Sequence, residues 1–481
     1  MISTERLHRP APKLGLLINS NDVFSPQAKD DSERRLREYF EELKASGAIH
    51  ADSIVYGRIF GPHEASAAAD VFAAAQVDLV VVANIAFPHG QVFLTIATHP
   101  NLAKTPLAVI AEPEPAGQEW GTNAWGGVIM NNHVAKQLGR EIAIIPGPFS
   151  GEEFRDEFQR LLRVAGTIKF LRSDMVCRFG DAPGGFHSAT SDQLAFAVTF
   201  GTRVETVDLT AVMNVCETGK ARGYLGEVTF TDDDVRKTTD EILDGRALSA
   251  YPEMVEKAAR LYQAFRAIIR ANGYTSTAVR CWPEFNESYI GFCPCVAMGM
   301  LLRNGDVTAA ACESDWPMAV AQTMATLLTD NPAPCLDWVN YTGGSDIIQA
   351  GHCGAGICGQ MADGKGRVCD EIALHPVQRQ AGNEKGPVHI GQFKYGPKTG
   401  VCLTRTAEGR FKLLAFKGES TEETARGLLY SASDFRVADS KRLNELVLDG
   451  GFPHHLTVAM GDIMDDLRLV CKYLGVDYVT P

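Results

Sequence analysis

The sequence predicts an α/β protein with two Rossmann- or flavodoxin-like parallel-sheet layers, followed by a mostly antiparallel, barrel-like β domain. Three observations carry this. From Lys13 to about Arg163, short apolar runs alternate with segments of helical period, and the alternation resumes between Asp174 and Asn304. Past Asp337 it stops, and glycine-rich turns separate stretches with a period of two. Strand–helix repetition implies parallel sheets wrapped by helices, whereas strands joined by short turns imply antiparallel pairing. A chain of 481 residues exceeds what one core serves, so two or three domains are expected, and the changes of pattern place three, at 1–165, 166–332 and 333–481.

In the first domain the strands are read at Leu14–Ile18, Ile54–Tyr56, Leu79–Ala83 and Leu107–Ile110. The helices between and after them are read at Ser32–Leu43, Glu64–Ala75, Val92–Thr98 and Asn132–Leu138. The first strand runs into Ser20, Asn21 and Asp22 rather than G-x-G-x-x-G, so a dinucleotide site is not expected. Ile142–Ser150, with Pro146, Gly147 and Pro148, reads as a loop before the amphipathic helix Glu152–Ala165.

The second domain opens with strand Asp174–Phe179 and the glycine-rich stretch Gly180–Phe186. That stretch reads as a tight turn, with a backbone N–H cradle for an anion as the alternative. Phe196–Phe200 and Arg203–Leu209 continue the alternation. Thr231–Leu243 and Pro252–Asn272 are helices, Ala278–Trp282 is a buried strand, and a helix surrounds Val296–Asn304. Further strands are expected at Val388–Tyr395, Gly400–Thr406, Arg410–Lys417 and Ser433–Val437, with a C-terminal helix at Gly461–Leu474 capping the third domain.

Composition excludes several classes of function. Apolar content of 45% and charged content of 22% are those of an ordinary globular protein, and no apolar run reaches the roughly 18 residues a membrane span needs. A net charge of -13 argues against nucleic acid and anionic membranes, both of which need a basic face. Met1–Pro12 lacks the apolar core of a secretory signal, so a cytoplasmic location is expected. Twelve scattered cysteines fit reduced core thiols better than a disulfide framework.

Chemistry concentrates in Ala310–Trp316 and Pro334–Trp338. Each places a carboxylate, Glu313 or Asp337, after a short small-or-apolar run and near a Trp. The acids are 24 residues apart, and Met318–Leu328 between them reads as one helix. A strand, a crossover helix and a second strand would bring both acids to one sheet edge. His454-His455 offers a third hard ligand. By chemistry alone, Mn²⁺, Mg²⁺, Fe²⁺ and Zn²⁺ suit such a set about equally. Cys293-Pro294-Cys295 and Cys312 have no partner pair at zinc or iron–sulfur spacing and read as structural thiols.

Six landmarks occur in order: CWPEF at Cys281–Phe285, Cys293-Pro294-Cys295, ACESD at 311–315, Asp337, His352-Cys353-Gly354 and Pro453-His454-His455. Together they resemble the L-fucose/L-arabinose isomerase superfamily, closer to the fucose side. The resemblance implies a metal-dependent aldose–ketose isomerase working through a cis-enediol(ate) on a pentose, 6-deoxyhexose or substituted sugar. Glu313 and Asp337 would be metal ligands and also the acid–base pair, and His455 would complete the coordination. His454 would touch substrate or support the ligands, and His352 competes for a ligand role, as in the arabinose branch. Trp282, Asp315, Trp316 and Asn340 would flank the pocket, with packing or a cap as the equal alternative for each, and His133 would reach a neighbouring subunit's site or else cap a helix. The implied cofactor is Mn²⁺, with Mg²⁺, Fe²⁺, Co²⁺ or Zn²⁺ as alternatives, in a homotrimer or homohexamer. An anionic sugar substituent would meet Arg178, Arg379 or Lys394. The competing functions are a non-catalytic sugar-binding or regulatory protein, and a metal-dependent lyase or aldolase.

Overall fold

The computed structural model describes residues 7–114, 117, 120–243, 247–248, 251–285, 290–340, 344–357, 361–362, 371–373, 386–425 and 430–481. The chain divides into two compact units. One comprises Arg9–Phe170 and Arg468–Leu474, the other Leu171–Leu467 with both chain ends.

The first unit is built on a five-stranded parallel sheet. In spatial order its strands are Ile54–Ile59, Leu14–Asn19, Leu79–Asn84, Leu107–Ala111 and Ala143–Pro146. The three central strands are wholly buried, which explains why LGLLIN, LVVVAN and LAVIA are continuous apolar runs and do not alternate. Two apolar clusters cover the faces: Leu36, Tyr39, Phe40 and Phe158 on one, Phe72, Val92, Phe93 and Val128 on the other. Ala143–Pro146 corrects the expectation of a loop at Ile142–Ser150. It adds an edge strand in register with Ala108–Ala111, and its closing Pro146 lies where a missing N–H breaks no further ladder.

The C-terminal helix, Met464–Leu474, was expected to cap the third domain, yet Arg468–Leu474 belongs to this first unit. Leu469 and Tyr473 pack on its core, and Tyr473 Oη donates to the Leu107 carbonyl at 3.0 Å. The sequence shows only an amphipathic face. Which core that face covers is a tertiary matter.

The second unit holds two sheets. Four parallel strands run in the order Ala310–Cys312, Ser276–Val279, Met175–Phe179 and Arg203–Val207. Helix Pro252–Asn272 buries Leu261, Phe265 and Ile268 against them. Phe196–Phe200 lies at the end of a short helix, Gln193–Thr199.

The other sheet contains a closed antiparallel ring. In order around it come Ile347–His352, Cys335–Asn340, His455–Met460, Gly396–Arg405, Phe411–Ser420 and Phe435–Val437, the last pairing back to the first. Closure satisfies the edges that an open sheet of this length would expose. A helix at Ser440–Gly450, not anticipated, precedes the His455 strand.

Glu313 and Asp337 were expected at one edge of one sheet. Instead Glu313 follows an outer strand of the parallel sheet, and Asp337 lies within the antiparallel ring. The connecting helix, Trp316–Thr329, is where the sequence put it. Asp315 caps it by accepting the Met318 N–H at 2.9 Å, and Pro317 occupies its first turn.

Candidate active site

The parallel sheet and the ring meet at a cluster of acids and imidazoles. The Ala310–Cys312 strand ends in Glu313 and Ser314, both in the left-handed region (φ 57° and 59°). Neither is glycine, so the turn carries about 1–2 kcal/mol of backbone strain per residue. Compensating contacts hold it: Ser314 N–H donates to Val279 O at 3.0 Å, and Ser314 Oγ donates to Gly180 O at 2.6 Å. Arg178 Nε lies 3.4 Å from the same hydroxyl. The turn leaves the Glu313 carboxylate facing the ring.

In the ring, Asp337 pairs directly with His455 on one neighbouring strand and with Gly351 on the other. Directly opposed residues share a face, so Asp337 and His455 project together. Gly351 is needed there, because a Cβ at that position would lie 2.4 Å from the Tyr430 ring.

His455 is the hub. Its Nε2 lies 3.1 Å from Glu313 Oε2 and 3.4 Å from Asp337 Oδ1, without hydrogen-bond alignment to either. On its other side Nδ1 meets Asp315 Oδ2 at 2.7 Å. His454 stacks on His455 with ring centroids 4.2 Å apart and brings Nε2 to 4.0 Å from Glu313 and 3.9 Å from Asp337. His352 Nε2 lies 4.0 Å from Asp337 Oδ2, while its Nδ1 accepts the Cys353 N–H at 3.0 Å. Trp282 Nε1 donates to Glu313 Oε1 at 2.9 Å and so fixes the carboxylate's rotation.

The electrostatics follow from this packing. Burial pushes the Glu313 carboxyl up, but the adjacent His455, the charge of His352 and the Trp282 N–H outweigh it and bring the pKa down to about 2. Burial lowers His352, yet Cys353 and Asp337 raise it to about 9. His455 is raised well above the ordinary imidazole value by Cys335, Asp315 and Glu313, against its own burial. His454 moves the other way, lowered by burial and by the neighbouring His455 charge.

Among the described residues, His455 Nε2, His352 Nε2 and Asp337 Oδ1 are buried polar atoms without a hydrogen-bond partner, and all three point into this cluster. Such atoms are costly unless something binds them. Two sets of ligand atoms lie within 4.8 Å of one another, Glu313–His352–His455 and Asp337–His454–His455. The residues therefore fit a divalent cation with carboxylate and imidazole ligands. Neither set includes a cysteine, and the ten described cysteines form no disulfide.

The other sequence candidates fall in different places. Asp315 is buried and is turned away from the cluster's open side, onto His455 and the helix cap. Trp316 is buried against Phe196, with centroids 4.6 Å apart. Asn340 sits at the exposed end of the Asp337 strand. His133 belongs to the first unit, exposed on helix Ala124–Gln137. Arg178 pairs with Asp181, Lys394 is exposed, and Arg379 lies outside the described residues. Two residues were not singled out in advance. Phe186 packs edge-on to Trp282 and His454 (5.7 and 5.2 Å), and Ser188 Oγ is 3.4 Å from His454 Nδ1. The glycine-rich stretch ending at Phe186 was the available signal.

Residues 15–172 match the family described as fucose/sulfoquinovose isomerase, N-terminal domain. A sulfoquinovose isomerase from Clostridium sp. (strain MSTE9) is 26% identical over 402 residues, covering 83% of this chain and 85% of its own length. These matches are to the L-fucose isomerase-like superfamily, which the chain resembles. A second relative, the sulfoquinovose isomerase of Alkalicoccus urumqiensis, is 24% identical over 412 residues, 84% of this chain and 86% of that protein. Both alignments are long enough to extend well beyond the N-terminal domain shared with the superfamily. Among the described residues, no helix is long and apolar enough to cross a membrane.

Proposed function

We propose that this chain is an aldose–ketose isomerase acting on a substituted sugar through a cis-enediol(ate), with Glu313 as the proton-transferring base. The observation that carries it is the meeting of two carboxylates and three imidazoles on one spot, with buried ligand atoms unspent. Glu313, Asp337 and His455 would hold a divalent cation, Mn²⁺ by preference, and His352 is placed to join them. When bound, the cation would polarise neighbouring sugar oxygens and steady the negative charge that develops as the C–H bond breaks.

The chain's own residues do the rest. Glu313 is ionised throughout the working pH range, as a base must be, and Trp282 holds one of its oxygens so that the other faces the cluster. It takes the proton from C2 of the aldose and returns it to C1. Asp337, 35% exposed at its side chain, is the more accessible acid and is assigned the hydroxyl proton. Phe186 and Trp282 wall the site with apolar surface that limits water.

Turnover in D₂O tests this directly. An isomerase working through an enediol puts deuterium on the product carbon, visible by NMR. Product without label would remove the proton-transfer mechanism. Two fragments in place of one isomer would indicate a lyase, and binding without turnover a regulatory sugar binder.

Asp315 is assigned to positioning rather than to substrate. A buried carboxylate on Nδ1 fixes the ring orientation of His455 and leaves Nε2 for the cation. Asp315→Asn keeps an acceptor for the Met318 N–H, so the fold should survive. It should weaken Mn²⁺ binding by about 10- to 100-fold in calorimetry; unchanged affinity would show that the contact is merely structural.

A further inference from the structure

Two buried histidines of the cluster, with ring centroids 6.0 Å apart, are held in opposite ways. His455 Nδ1 lies 2.7 Å from Asp315 Oδ2, and a carboxylate beside a ring nitrogen keeps a proton on it. That leaves Nε2, turned toward Glu313 and Asp337, as the nitrogen a cation would take. Metal-bound imidazoles nearly always donate through their second nitrogen in this way.

His352 is the reverse case. Its Nδ1 accepts the Cys353 N–H at 3.0 Å, and Cys353 Sγ lies 3.2 Å from the same nitrogen. A ring nitrogen that accepts a backbone N–H keeps its lone pair there, so the ring proton sits on Nε2, the atom that points into the cluster. Binding a cation through Nε2 would drive that proton onto Nδ1, against the Cys353 N–H, and lose the hydrogen bond. A cationic ring gives the same result, since it also carries a proton on Nε2. Distance admits His352 as a ligand, but its hydrogen bonding makes it a donor.

Asp337 supplies the matching half. Its Oδ1 faces the other imidazoles, 3.4 Å from His455 Nε2 and 3.9 Å from His454 Nε2, while its Oδ2 lies 4.0 Å from His352 Nε2. The last separation is too long for a direct hydrogen bond. It suits one oxygen placed between the two atoms, about 2.8 Å from each, which would accept from His352 and donate to Asp337 across an angle of about 90°. A hydroxyl can do both at once.

We propose that His352 is a catalytic hydrogen-bond donor to the substrate and not a metal ligand: its Nε2–H holds the sugar hydroxyl oxygen whose proton Asp337 Oδ2 takes. The assignment rests on the isomerase reading and divides its residues into a metal side (Glu313, His455 and Asp337 Oδ1) and a proton side (His352 and Asp337 Oδ2). In the step, the sugar O–H bond breaks and its proton passes to Asp337 Oδ2. The negative charge grows on an oxygen already held by the His352 N–H, which keeps its own proton.

The test uses two variants, with thermal melts to confirm folding. His352→Asn can still accept the Cys353 N–H but offers nothing at the Nε2 position, whereas the longer amide of His352→Gln restores a donor there. Calorimetry with Mn²⁺ alone should give Kd values within about tenfold of wild type for both, and a larger loss in either folded variant overturns the assignment. The second probe is a set of five- and six-carbon sugar alcohols, which offer hydroxyls without turning over, titrated into the Mn²⁺-loaded protein. His352→Asn should bind the best of them about tenfold more weakly, and His352→Gln should regain most of that loss. Equal affinity in all three proteins, as a gap that holds only water would give, overturns the donor, and so does equal loss in both variants. On the sugar that turns over in D₂O, kcat should fall about 10²-fold in His352→Asn and recover in His352→Gln. Turnover indifferent to both changes sinks the donor and leaves the isomerase reading standing. Selective loss of alcohol binding in a protein that isomerises nothing upholds the donor and sinks only that reading.

Discussion

Glu313→Gln lowers kcat by about 10³-fold while the protein remains folded. Glutamine has nearly the same volume and can still accept the Trp282 N–H, so the wall of the site stays in place. What disappears is the charge proposed to accept the proton and to help hold the cation. The loss should appear in kcat and persist at saturating Mn²⁺, because restoring the cation does not restore the base. Ketose formation assayed over a Mn²⁺ series, with a thermal melt as control, reads both. A variant that still isomerises at the wild-type rate would end the case for Glu313 as base. One that recovers fully with added metal would reduce it to a ligand.

His455→Ala has two large effects that arise from one geometry. The imidazole lies between three carboxylates, 3.1 Å from Glu313, 3.4 Å from Asp337 and 2.7 Å from Asp315, and is wholly buried. Removing it takes away the proposed central metal ligand, so on that proposal Mn²⁺ binding and turnover should fall below detection. It also strands Asp315, whose side chain is 2% exposed, with only a helix-cap N–H for company. An uncompensated buried charge typically costs about 3–5 kcal/mol. Chemical denaturation of the metal-free protein should show a loss of that order, partly recovered in the double variant that also carries Asp315→Asn. Stability within about 1 kcal/mol of wild type would mean that the Asp315–His455 contact is not the buried pair described.

The element types were largely legible in the chain. The alternation of apolar runs and helical stripes located the parallel layers, and the loss of that alternation past Asp337 marked the antiparallel ring, because period two and period 3.6 leave different traces. Helix Trp316–Thr329 was visible from its apolar spacing. Ala143–Pro146 was missed because Pro146, Gly147 and Pro148 read as a loop. Pro146 closes the strand and the other two follow it, and four residues are too few for periodicity to register.

At the site, Glu313, Asp337, His352, His454 and His455 were all named from residue types in ordered landmarks, and the fold gathers them. Asp315 and Trp316 adjoin Glu313 and could equally flank the pocket, pack or cap a helix. The backbone decides among these: two left-handed residues turn the chain sharply, so Glu313 faces the ring while Asp315 caps its helix and supports His455, and Trp316 packs on Phe196. Adjacency in sequence carries no information about direction once φ changes sign.

The sequence by itself determined the kinds of layer, their order and the ligand chemistry, since periodicity and residue type are local properties. Only the tertiary structure decided that Glu313 and Asp337 come from different sheets, that the C-terminal helix joins the first unit's core, and which donors point at which atoms. These depend on register and ring closure, which are set by contacts between residues more than a hundred positions apart, such as Asp315 with His455 and Asp337 with His455. No local pattern encodes such distances.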